Sequence, residues 1–224
     1  MITLLEKYFG PHYKSTKKVK VICNTMTGIF ACRDLKACRD CKRVTHQTEA
    51  NCNHVVFYCD AKDNKVDLIE LENFLNNFKG LQALPSDQKC DLLLVGKDKI
   101  VFCDMTCSNS KYITPYVMKD GTEKIGKRNT VKGQLRNSIT VLTNVPEIAS
   151  EINLKNDRLA LFAFREKPQI IKDDFDIGII SQMRKFNKIN NYLNVEPMFS
   201  DIGNGFIFTE VKYPNTFFLV NKTS

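Results

Sequence analysis

No stretch of the chain is apolar over the roughly 20 residues that a membrane-crossing helix needs. Met1-Ile2-Thr3-Leu4-Leu5-Glu6-Lys7 has no basic segment leading into a long apolar core. No signal peptide is therefore expected, and the expected location is the cytoplasm, away from membranes. The glycine signatures of nucleotide cradles are missing: neither G-x-x-x-x-G-K-[ST] nor G-x-G-x-x-G occurs. That argues against nucleotide hydrolysis by this chain alone. Histidine is scarce: His12, His46 and His54 are the three present, and none adjoins a recognisable nucleophile turn. Cysteine-hydrolase chemistry thus lacks an evident base. Internal repeats, low-complexity tracts and flexible linkers are absent as well.

What is present suits a globular protein of one domain or one and a half. The 224 residues are 43% apolar and 26% charged, enough to bury a sizeable core. Nine cysteines are many, yet without a secretion signal a disulfide framework is not expected. Cys59, Cys90 and Cys103 lie in apolar strand-like runs and read as small buried hydrophobes. Net charge is +8 and uneven: residues 1–60 and 111–172 are basic, and residues 61–110 between them are slightly acidic. Basic segments flanking an acidic one suit a cation site set in a phosphate-attracting surface.

Periodicity predicts the elements. Residues 2–9 read as a short amphipathic helix. Lys18 to Ile22 and Gly28 to Cys32 read as strands around a turn, and His54 to Cys59 as a clear strand. Val66 to Phe78 carries Leu68, Leu71, Phe74, Leu75 and Phe78 at helical spacing, although Val66 to Ile69 also fits a strand with a shorter helix after it. Residues 108–121 read as a polar loop. From about Thr122 to Thr143, Val131, Leu135, Ile139 and Leu142 mark one helix face. Leu159 to Phe164 is a buried strand. Asp173 or Asp174 could cap a helix bearing Phe175, Ile179, Met183 and Phe186. Phe206 to Val211 and Phe217 to Val220 read as a closing hairpin entered through Gly203-Asn204-Gly205. This order predicts an α/β (α+β) protein with a central mixed sheet flanked by helices. The expected division is a Cys-rich basic segment over 1–53 and an α/β domain over 54–224.

The most informative stretch runs from Lys89 to Thr106. Two apolar runs flank Gly96-Lys97-Asp98, the pattern of a tight hairpin. Asp91 opens the first strand and Asp104 sits near the end of the second, so the fold back brings both carboxylates toward one end of the sheet. Paired carboxylates are hard oxygen ligands suited to Mg²⁺ or Mn²⁺. Cys90-Asp91, Asp104-Met105-Thr106 and Lys132-Gly133-Gln134-Leu135-Arg136-Asn137-Ser138-Ile139 resemble, over about residues 54–145, the PD-(D/E)xK nuclease superfamily. There an Asp opens one strand, an acid-x-Lys triplet ends the next, and a helix with a Gln-Leu pair follows. The resemblance implies a restriction-endonuclease-like fold and metal-dependent cleavage of DNA, in a setting of restriction or phage defence. Asp91 and Asp104 would hold the metal. Glu70 or Glu72 would complete the shell, and Gln134 would position water. Thr106 stands where that family has its Lys, so Lys127 or Lys132 would have to supply the amine.

The first half of the predicted basic helix, with Lys124, Lys127, Arg128, Lys132 and Arg136, offers phosphate contacts. A separate constellation is Cys38-Arg39-Asp40-Cys41, which with Cys52 and His54 makes a candidate Zn²⁺ set. Three functions follow: a metal-dependent DNA nuclease, a catalytically silent member of the same fold that binds nucleic acid or scaffolds a protein complex, and a zinc-stabilised protein–protein adaptor.

Overall fold

The computed structural model describes residues 1–33, 44–46, 55–80, 89–108, 112–166 and 200–219. Its centre is a seven-stranded mixed sheet. Three strands form an antiparallel meander: β5 (Val66–Ile69), β6 (Leu92–Val95) and β7 (Lys99–Ser108). β10 (Asp157–Glu166) lies parallel to β7, and β12 (Phe206–Lys212) lies parallel to β10. The edges are β1 (Cys23–Met26), antiparallel to β5, and β11 (Ser200–Gly203), antiparallel to β12. β6 is buried along its whole length. That explains why its sequence is continuously apolar rather than alternating.

Helices cover one face of this sheet. The parallel pair β7 and β10 is joined through α4 (Gly126–Thr143) and α5 (Pro146–Asn153). α4 buries Val131, Leu135, Ile139 and Leu142, the stripe predicted from its spacing. A short N-terminal helical stretch packs on the same side: α1 (Ile2–Leu4), a π-helical turn (Leu5–Phe9) and α2 (Gly10–His12). Phe9 meets Phe74 and Phe78, and the Tyr13 hydroxyl donates to the Val141 carbonyl at 2.7 Å, stitching this stretch to α4. A four-stranded sheet covers the other face, in the order β13 (Thr216–Phe218), β4 (Val55–Asp60), β2 (Ile29–Arg33) and β3 (Val44–His46). The central sheet is thus sandwiched between two apolar cores, one under the helices and one between the sheets. No helix among the described residues is long and apolar enough to cross a membrane.

Several elements differ from the periodicity. Val66–Ile69 is a strand, and the helix after it is the shorter α3 (Leu71–Asn76). The expected strand at Lys18 to Ile22 does not form. The Val21 amide donates to the Glu6 carboxylate at 2.9 Å instead of a ladder partner, and the strand begins at Cys23. Residues expected to open the long helix form a small hairpin, β8 (Tyr116–Val117) with β9 (Glu123–Lys124). The closing hairpin is also not found. β12 joins the central sheet, whereas β13 crosses to the second sheet and pairs with β4. The helix expected around Phe175 to Phe186 lies outside the described residues.

Candidate active site

Leu92 stands opposite Cys103 in the β6–β7 register. One step further toward the open end places Asp91 opposite Asp104, and such pairs have Cβ atoms about 4.5–5.5 Å apart. Both residues are nearly enclosed, at 7% and 5% exposure. Asp91 Oδ2 accepts the Met105 amide at 2.7 Å, which fixes that carboxylate over the Asp104–Met105 peptide. Alternation along β7 puts Ile100, Phe102 and therefore Asp104 on the helix-covered face. Thr106 follows on the same face, in register with Phe164 of β10.

The surroundings hold this end of the hairpin in place. The Cys90 amide donates to Ser138 Oγ of α4 at 2.9 Å, and Gln134 Nε2 donates to the Lys89 carbonyl at 3.3 Å. Lys89 Nζ donates to the Leu75 carbonyl and to Asn76 Oδ1, both at 3.4 Å. The Glu72 amide donates to the Asp91 carbonyl at 3.2 Å, so the start of α3 abuts the site through its backbone. Burial pushes the thiols of Cys90 and Cys103 well above their ordinary range, and the negative charge of Asp91 and Asp104 adds to that shift. Both stay protonated near neutral pH and are poor metal ligands there.

The structure gives the other predicted site residues a range of places. Glu70 precedes α3, and its carboxylate accepts the Asn73 side-chain amide. Among the described residues, no three His, Cys, Asp or Glu side chains converge as a metal-ligand set. Arg128 makes a two-pronged ion pair with Glu210, at 2.5 and 3.0 Å. Lys132 Nζ lies 4.6 Å from the centre of the Phe208 ring, and Arg136 Nε donates to the Ile202 carbonyl at 3.3 Å. These three cations fasten α4 to β11 and β12. Lys124 and Lys127 are exposed instead, and both line a recess of about 290 Å³ beside Ser108, at the end of β7. Cys38, Cys41, Cys52 and His54 lie outside the described residues, as does any zinc set built on them.

Sequence reasoning missed four participants. Glu210 sits in register with Phe162 and, through it, with Asp104, which puts a third carboxylate in the same row of the helix-covered face. Its signal was an acid at an inward position of the alternating strand Phe206–Lys212. Ser138 carried a weaker signal, a polar residue within one turn of Leu135 and Leu142 on the apolar stripe. Tyr112 and Tyr116, whose rings lie 4.8 Å apart at the recess, carried none, because they fall in a stretch read as polar loop.

No protein-family model matches the chain, and neither a curated protein nor a solved structure matches it.

Proposed function

We propose that the chain is a metal-dependent nuclease acting on DNA, with a restriction-endonuclease-like core of the PD-(D/E)xK type. One observation carries the reading: Asp91 and Asp104 come side by side in an enclosed position, with the Asp91 carboxylate fixed by the Met105 amide. The topology around them supports it. Asp91 precedes β6, Asp104 lies on β7, and α4 with Gln134 and Leu135 follows, which is the order that the resemblance implies.

The carboxylates are the right donor type for Mg²⁺ or Mn²⁺, and two like charges set together favour a cation between them. Such an ion supplies Lewis-acid activation of water and neutralises charge building on a phosphodiester. The chain's own contribution is orientation: the Met105 amide aims one carboxylate, and the β6–β7 register sets the other. Lys127 faces solvent at the recess beside Ser108, and the amine that Thr106 cannot supply stays unassigned. Lys132 is held on Phe208 and serves packing.

The test is cleavage of plasmid and linear DNA with Mg²⁺ or Mn²⁺. The wild type should cut and Asp104→Ala should not, with a loss of at least about 100-fold for so central a group. Cleavage that survives in Asp104→Ala rules the site out.

A second reading has its own support, in Thr106 at the position where the resemblance has its Lys. On that reading the fold is catalytically silent and serves as a nucleic-acid-binding or scaffolding subunit. No cleavage by the wild type, together with DNA binding, would select it.

A further inference from the structure

The recess at the end of β7 differs in character from the acidic pair. It is lined by Ser108, Tyr112, Tyr116, Lys124, Ile125 and Lys127, among others. Ser108 lies on the same face of β7 as Asp104, four residues further on, hence about 13 Å away along the strand. The two tyrosines are half-buried and tilted against each other at 58°. Ile125 is 65% exposed at the rim, and Val117 and Met118 of the neighbouring hairpin are exposed too. Aromatic and apolar surface thus sits beside two solvent-facing ammonium groups.

That mixture matches one ligand chemistry closely. A free phosphate has no use for rings, and an apolar ligand has none for lysines. A nucleotide uses both, with its base against a ring and its phosphate on a cation. The volume is at the low end of ligand sites, which run to about 300–1,000 Å³, and a duplex is too wide to enter. We propose that this recess holds one unpaired nucleotide of a DNA strand, stacked at Tyr112 and Tyr116 with its phosphate on Lys124 and Lys127. This deepens the nuclease reading, and rests on it for the identity of the polymer. The favoured substrate is then a single strand or a frayed or overhanging end, gripped a short distance from the bond that meets Asp91 and Asp104.

The experiment measures binding rather than cleavage. Fluorescein-labelled dT12 and a 12-base-pair duplex are titrated by anisotropy in EDTA, against wild type, Tyr116→Leu and the double variant Lys124→Gln/Lys127→Gln. The single strand should bind more tightly than the duplex. Tyr116→Leu should weaken dT12 binding at least about fivefold, the lower bound for one stacked base. The double lysine variant changes two exposed positions. It should reduce the slope of log affinity against log salt by about 0.7, the value for one phosphate contact on a single strand. Equal binding of dT12 and duplex, or dT12 affinity and salt slope unchanged in the Tyr116 and lysine variants, overturns the proposal. The cleavage assay fails separately: a protein that binds as described and never cuts loses the nuclease reading and keeps the nucleotide site, whereas one that cuts with those variants unaffected does the reverse.

Discussion

A buried amide left without an acceptor costs about 1–3 kcal/mol. The Cys90 amide has Ser138 Oγ, and Ser138 is itself almost fully enclosed. Ser138→Ala should therefore lower unfolding free energy by about 1–3 kcal/mol, read from urea midpoints. It should also loosen the Asp91 end of the hairpin. The buried thiols make a second prediction at this scale. Burial raises Cys32, Cys59, Cys90 and Cys103, and Cys23 to about 11. In the unfolded chain each titrates near about 8.5. The unfolded state then binds fewer protons above that pH, so the thiols' contribution is complete below about pH 8.5 and falls as pH rises. The urea midpoint should drop between pH 7.5 and pH 10, and a midpoint that rises over that window contradicts the burial of these groups. At this scale Asp91 and Asp104 were legible because a turn between two apolar runs fixes which residues face each other. The roles of Arg128, Lys132 and Arg136 were not. A cation on a helix reads as solvent-facing until its acceptor is placed, and Glu210, Phe208 and the Ile202 carbonyl are far away in sequence.

Helix α4 is the element on which the site depends. It lies over the acids and is pinned at several points: Arg128 to Glu210, Ser138 to Cys90, and Tyr13 to Val141. Its start is dictated by backbone as much as by pattern. Gly126 has φ +77°, and a Cβ there would come within 2.4 Å of the Thr114 carbonyl group. Gly126→Ala should therefore be destabilising, with the melting temperature lowered and the Tyr112–Tyr116 recess distorted. A melting temperature equal to wild type would show that the turn relaxes freely. Arg128→Ala should cost about 1–3 kcal/mol, because it leaves Glu210 alone on a largely covered face. The double variant Arg128→Ala/Glu210→Ala should cost less than the two single changes added together. Periodicity gave the apolar stripe of α4 correctly, since packing follows spacing. It could not give the first turn, where a close approach to Thr114 decides where the helix begins. The same limit explains Phe206–Lys212 and Thr216–Phe218. Two apolar strands with a short turn look like a hairpin, yet each finds a better partner in a different sheet.

Across the whole molecule, the central sheet belongs to two cores at once. Phe102 faces the helices while its neighbour Val101 faces the second sheet. The chain also crosses between the layers: β1 and β2 go to different sheets, as do β12 and β13. Damage on either side should therefore be felt by both. Phe102→Ala and Val101→Ala should each shift one shared thermal transition, by an amount consistent with the several kcal/mol typical of core truncation, about 3–5 for Phe to Ala. Two separable transitions would mean that the sheets fold independently. The α/β class and its central mixed sheet were readable from the order of apolar runs. The second sheet was not, because its strands are recruited from both ends of the chain and local pattern carries no record of such pairings.

In the proposed function Asp91 and Asp104 act as one cation site. The direct measurement is Mn²⁺ binding followed by the electron paramagnetic resonance of the free ion, in wild type and in Asp104→Asn, a change that keeps side-chain shape and removes charge. A saturable Mn²⁺ site is expected in the wild type, with its affinity falling at least about tenfold in the variant. Equal Mn²⁺ binding by the two proteins, or none by the wild type, would contradict it.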